Sequence, residues 1–106
     1  MGRAPGGITV RARIRLLTTA EGGRETPVLG TGTYNPNHRF FDDDPMTMGF
    51  MDLPDRTGLP LGATVETVVT FLPLDWLTSE LYPGREWRIQ EGGHLVGHGT
   101  VIEVLT

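Results

Sequence analysis

Along residues 8–17 the chain alternates. Ile8, Val10, Ala12, Ile14 and Leu16 fall on one face, and Thr9, Arg11, Arg13 and Arg15 on the other. Successive side chains of an extended chain point to opposite faces, so this period of two predicts a half-buried strand. A helix would spread these arginines around its circumference. Residues 65–72 repeat the pattern: Val65, Thr67, Val69 and Phe71 face one way, Glu66, Val68 and Thr70 the other, and Pro73 ends the run. Residues 86–91 and 94–105 predict a strand and its return. Gly92-Gly93 between them is a two-residue hairpin turn in which either glycine can take positive φ. Weaker signals predict a short strand nucleus at Arg39-Phe40-Phe41 and one strand within residues 46–53. Residues 26–34, broken by Pro27, Gly30 and Gly32, suit an irregular edge segment. Residues 20–24 are a turn, residues 42–62 the least regular stretch, and residues 74–82 one helical turn or an irregular excursion closed by Pro83-Gly84. Residues 1–7 read as a flexible leader, and residues 8–106 as a single domain.

Six short strands in 106 residues must hide their edges. The expected fold is all-β, a small six-stranded antiparallel closed barrel, with a two-sheet sandwich as the structural alternative. Gly97 and Gly99 would let neighbouring strands approach closely or bend at a barrel corner. Composition agrees: 15 Gly and 8 Pro mark a turn-rich chain. A net charge of −4 argues against a generally basic nucleic-acid binder, DNA included. The lack of Cys excludes a disulfide framework and a thiolate zinc site. No apolar run is long enough to span a membrane, and the first residues lack the apolar core of a signal peptide, so the expected location is cytoplasmic.

Three stretches resemble the third, C-terminal barrel of elongation factor Tu. Glu21-Gly22-Gly23-Arg24-Glu25-Thr26-Pro27 resembles the family's E-G-G-R-H-T-P, and Gly32-Thr33-Tyr34-Asn35-Pro36-Asn37 resembles G-Y-R-P-Q with one residue extra. Residues 84–99, which contain Ile89-Gln90-Glu91-Gly92-Gly93 and Val96-Gly97-His98-Gly99, resemble G-L-R-F-A-I-R-E-G-G-R-T-V-G-A-G. Order and spacing hold over nearly the whole chain. The resemblance implies a six-stranded antiparallel barrel and a non-enzymatic binding module linked to translation. Its partner would be RNA or a translation factor; the alternative is a protein-interaction or decoy module that imitates the elongation factor without binding RNA. The sequence contains no G-x-x-x-x-G-K-[ST] loop and no Lys, so GTP hydrolysis by the family's mechanism is excluded.

In that family the barrel helps hold the T-arm of aminoacyl-tRNA. The resemblance places tRNA-facing positions at Asn35, Asn37, Gln90, Glu91 and Gly92; the family's T-D-V-T-G segment has no clear counterpart in residues 42–55. Asn35 and Gln90 stand where the family motifs have Arg, so two cationic phosphate partners become neutral amides and the implied tRNA binding is weak. Glu91 then presents a carboxylate without its flanking cation unless another base compensates.

Other residues have a bland reading beside the sharp one. Arg11, Arg13 and Arg15 form either a phosphate-tracking stripe or, as the acidic chain favours, a solvated face paired with acids across the sheet. Asp42-Asp43-Asp44 lacks the alternate spacing, Gly turn and distal Glu of a cation loop and reads as a solvated acidic loop. His94 and His98 share a strand face if no bulge intervenes, with His38 distant in sequence; His98 reads as a barrel-interior or barrel-end residue rather than a metal ligand. Trp87 reads as core. Trp76, Leu77, Leu81 and Tyr82 form either a lid over the barrel or an exposed apolar patch for a protein partner or a second copy. No nucleophile–base pair is readable, and neither a metal nor a cofactor is expected.

Overall fold

A computed structural model describes residues 7–28, 33–41, 46–53 and 58–105. The strands are β1 (Ile8–Leu16), β2 (Thr33–Tyr34), β3 (Asn37–Arg39), β4 (Thr47–Asp52), β5 (Thr64–Phe71), β6 (Glu86–Glu91) and β7 (His94–Val104). A 3-10 turn spans Thr19–Glu21, and a single helical turn, α1, spans Asp75–Thr78. The ladder runs β4-β3-β6-β7-β1-β5, all antiparallel, and closes because β5 also pairs with β4. β2 pairs with β4 in the register that β3 continues: Tyr34 faces Met51 and Asn37 faces Met48. These two segments are one wall of the barrel, interrupted at Asn35-Pro36, where Pro36 has no N–H to give to the ladder. The barrel is therefore closed and six-stranded.

The alternating runs put their apolar faces inside. Val10, Ala12, Ile14 and Leu16 of β1, Val69 and Phe71 of β5, and Trp87 and Ile89 of β6 are all buried. Gly99 makes room for Trp87: a Cβ there would lie 2.4 Å from the indole Cζ2. Gly97 likewise stands where a Cβ would meet the Arg15 carbonyl at 2.7 Å. The close approach expected of both glycines is present.

Two local readings are corrected, and the positive φ expected at one or both of Gly92 and Gly93 is found at Gly92. The short strand lies at Asn37–Arg39, not 39–41. The chain leaves the ladder at Phe40, whose ring stacks on Trp87 at 5.6 Å and whose carbonyl accepts from Arg85 Nη2 at 2.9 Å. In the last hairpin only Gly92 takes positive φ, at 59°. Gly93 lies outside the left-handed region, the arrangement of a turn with its demand on the first position. Also corrected is β7, which carries two bulges, one where Gln90 faces Leu95 but Ile89 faces Gly97, the other where Arg11 faces Glu103 but Ala12 faces Val101. The first shifts the phase of the strand. His98 is thereby turned outward and exposed while Val96 is buried, so His98 is not an interior residue and shares no face with His94.

Candidate functional site

The two Glu-Gly-Gly turns, about seventy residues apart in sequence, meet at one end of the barrel. The first is fixed locally. Thr18 caps the 3-10 turn: its Oγ1 accepts from the Glu21 N–H at 3.2 Å, while Glu21 Oε1 accepts from the Thr18 N–H at 2.8 Å. Arg15 Nη2 donates to the same Glu21 oxygen at 3.0 Å. The Thr18 backbone bond, then Arg15, hold the Glu21 carboxyl below its ordinary pKa.

Arg24, just after this turn, reaches across to the second. Its Nη1 ion-pairs with Glu91 Oε2, its Nε donates to the Thr26 carbonyl at 2.9 Å, and its guanidinium lies 5.9 Å from the centre of the Tyr34 ring. The Tyr34 hydroxyl donates to the same Glu91 oxygen at 2.5 Å. Burial and then the Glu91 carboxylate push the Tyr34 hydroxyl well up from its ordinary pKa, so it remains a donor. His94 Nε2 donates to the Gly22 carbonyl. Between the turns lies an open groove of about 440 Å³, lined by Gly23, Arg24, Glu25, Thr26, Glu91 and His94.

Beside it, Asn37 and Gln90 are direct cross-strand partners, and Asn35 is exposed at the break in the same wall. Gln90 is buried; its Oε1 accepts from Arg39 Nε at 3.1 Å.

The chain is 37% identical over 108 residues to elongation factor Tu 2 of Streptomyces avermitilis, an alignment that takes in 95% of this chain and 25% of that protein. The chain is an elongation factor Tu domain 3-like barrel. It spans a quarter of the length of that relative. No family model matches the chain.

In this domain 3-like barrel, Asn37, Gln90, Glu91 and Gly92 come together at one end, with Asn35 on the adjoining wall. Two expectations about them change. Glu91 is not a bare carboxylate, because Arg24 and Tyr34 hold it. Gln90 is not an open surface position, because its side chain is packed away on Arg39. Sequence reasoning missed Arg24 and Tyr34 as members of this end. The signal was present, since Arg24 follows the first Glu-Gly-Gly and Tyr34 immediately precedes Asn35.

For the β1 arginines and for Trp87 the bland readings hold. Arg11 pairs with Glu66 at 3.6 Å and with Glu103, and Arg15 pairs with Glu21, so that strand face interleaves with acids. Trp87 is core. Leu77 and Leu81 are buried and do not belong to an exposed patch; they plug the barrel from the 74–82 excursion. Trp76 covers Phe40 and Phe41, each at 6.2 Å between ring centres, while Tyr82 is exposed. Asp42-Asp43-Asp44 lies outside the described residues, among which no group of three or more His, Asp or Glu is placed to hold a metal. Among the described residues no helix is long and apolar enough to cross a membrane.

His38 is fully buried between Phe71 and Trp87. Its Nδ1 accepts from Trp87 Nε1 at 2.9 Å, which leaves Nε2 protonated in the neutral ring. Nε2 abuts the Gly49 backbone without a well-formed hydrogen bond. Burial lowers the pKa of His38 to about 4, and the Gly49 backbone opposes that only in part.

Proposed function

We propose that this barrel is a non-enzymatic, cytoplasmic binding module linked to translation, and that it contacts RNA through the end that carries the Glu91-Gly92 turn. One observation carries the reading. The positions that resemble the family's tRNA-facing residues gather at one end of the barrel here: Asn37 beside the buried Gln90, the exposed hairpin turn next to them and Asn35 exposed on the adjoining wall. Arg24 supports it, since its pairing with Glu91 removes a carboxylate that would repel a phosphate backbone. The missing arginines make the interaction weak. Fluorescence anisotropy with labelled deacylated tRNA at 50 to 200 mM salt tests this. Asn35→Arg should tighten binding about fivefold to eightfold at ~0.1 M salt and steepen the log–log salt slope by about 0.7 to 0.9, the effect of one added phosphate contact. Thr78→Arg, at an exposed position of α1, controls for charge alone; equal gains from both would sink the assignment of this surface.

The exposed aromatic side chains of Phe41, Trp76 and Tyr82 favour a second reading. In it the barrel imitates the elongation factor toward a protein partner and leaves RNA alone. Absence of tRNA binding by both wild type and Asn35→Arg at 50 mM salt puts this reading ahead.

A further inference from the structure

Glu91 is the one carboxylate among the positions assigned to the RNA-binding end. Its neighbours there, Gln90, Gly92 and Asn35, carry no charge. Two donors reach it from other parts of the chain. Arg24 Nη1 ion-pairs with Glu91 Oε2, and the Tyr34 hydroxyl donates to that same oxygen at 2.5 Å. The Arg24 guanidinium lies 5.9 Å from the centre of the Tyr34 ring, so the three side chains close a triangle. Arg24 follows the first Glu-Gly-Gly turn, Tyr34 ends β2 immediately before Asn35, and Glu91 ends β6 immediately before Gly92. Among the described residues no other group pairs with the Glu91 side chain.

The two donors are not equivalent. Arg24 and Glu91 are both partly exposed, and an ion pair of that kind contributes little and weakens with salt. A polyanion brought to this end also competes with Glu91 for the Arg24 guanidinium. The phenol presents no charge for a polyanion to attract. Burial and then the Glu91 carboxylate push its pKa up, so it keeps its proton, and its bond to a carboxylate is charge-assisted. Packing, not the pair, sets where it stands: Tyr34 lies against the hydrophobic core and faces the buried Met51 across the ladder. The fold does not require the hydroxyl, since Phe would fill the same space and keep the ring beside Arg24.

We propose that Tyr34 is a positioning residue of the barrel end: its hydroxyl pins the Glu91 carboxylate to Arg24 and so keeps a loose negative charge out of the path of an RNA phosphate backbone at the Gly92 turn. The inference rests on the barrel-end reading above. Tyr34 acts through Glu91 and is not itself an RNA contact.

The test uses the full chain and the labelled deacylated tRNA, by anisotropy. Tyr34→Phe should weaken binding about threefold at 50 mM salt and less than about 1.5-fold at 200 mM, since salt screens the repulsion from a released carboxylate. In a Glu91→Gln background the same change should have no effect at either salt, because no carboxylate remains to be held. A loss of equal size in both backgrounds, or one that does not shrink with salt, overturns the inference; Tyr34 would then be structural or touch RNA itself. A second measurement reads the bond without RNA. In a Tyr82→Phe variant Tyr34 is the only phenol, and its ionisation, followed by phenolate absorbance, should begin at lower pH once Glu91 is replaced by Gln. No such change overturns the bond and the inference with it. Thermal melts check that all variants are folded. Absence of tRNA binding by wild type and by Asn35→Arg at 50 mM salt overturns the barrel-end reading and this inference together. Binding that Asn35→Arg strengthens and Tyr34→Phe leaves unchanged keeps that reading and removes the positioning role alone.

Discussion

Acidification should destabilise this barrel through one buried side chain. His38 is fully buried and its Nδ1 accepts a hydrogen bond from Trp87 Nε1. Protonation would place an N–H on Nδ1 facing the indole N–H, donor against donor, and a charge inside the core. Burial accordingly lowers the pKa of His38 from 6.5 to about 4. The unfolded chain therefore binds the proton more readily between these two values. The stabilising effect of a neutral His38 is complete above pH 6.5 and is lost progressively as pH falls from 6.5 to 4. A shift of about 2.5 units at 1.36 kcal/mol each comes to about 3 kcal/mol. In a domain of this size that lowers Tm by roughly 15 °C. The assay is urea unfolding followed by tryptophan fluorescence at pH 7.5, 6.5, 5.5 and 4.5, for wild type and His38→Gln. The Gln oxygen is able to accept from Trp87 and does not titrate, and carboxylates and the other histidines cancel in the difference. The wild type should lose about 3 kcal/mol more than the variant as the pH approaches 4. A difference that stays flat from pH 7.5 to 4.5 would refute the buried neutral imidazole and its bond to Trp87.

Gly92→Ala should cost about 1 kcal/mol, because only that turn position needs positive φ, whereas Gly93→Ala should fall within about 0.5 kcal/mol of wild type in urea melts. Gly99→Ala would drive a methyl into the Trp87 ring and should cost about 2 kcal/mol, with a change in near-ultraviolet circular dichroism that an equivalent change at exposed Thr78 does not produce. Trp76→Ser strips the cover from Phe40 and Phe41 and should cost about 1 kcal/mol while leaving the sedimentation mass unchanged; a fall in mass would instead make Trp76 part of an interface between copies. Calorimetry should detect no micromolar binding of GTP or GDP, since the sequence has no phosphate-cradling loop or Lys.

Much of the fold was legible in the chain. Alternation at residues 8–17 and 65–72 marked the inner faces of β1 and β5, because burial on one side of a pleated strand writes a period of two into the sequence. Gly92-Gly93 marked the last hairpin, because few residues tolerate positive φ. The positions that gather at the barrel end were legible only through the resemblance; their types alone, mostly amides and glycine, announce nothing. What stayed hidden depends on register. The bulge at Val96 inverts the phase of β7 without any mark in residue type, and it alone decides that His98 faces solvent beside Arg88. Arg24 meets Glu91, and Arg39 lines up with Arg88 and His98, only once closure of the barrel brings distant strands side by side. The same closure buries His38 and gives it an indole partner, which turns a histidine with no evident role into a titrating group of the core. Local sequence writes the period and the turns; which side chains oppose one another across the ladder is a property of strand pairing over long separations, and only the closed barrel decides it.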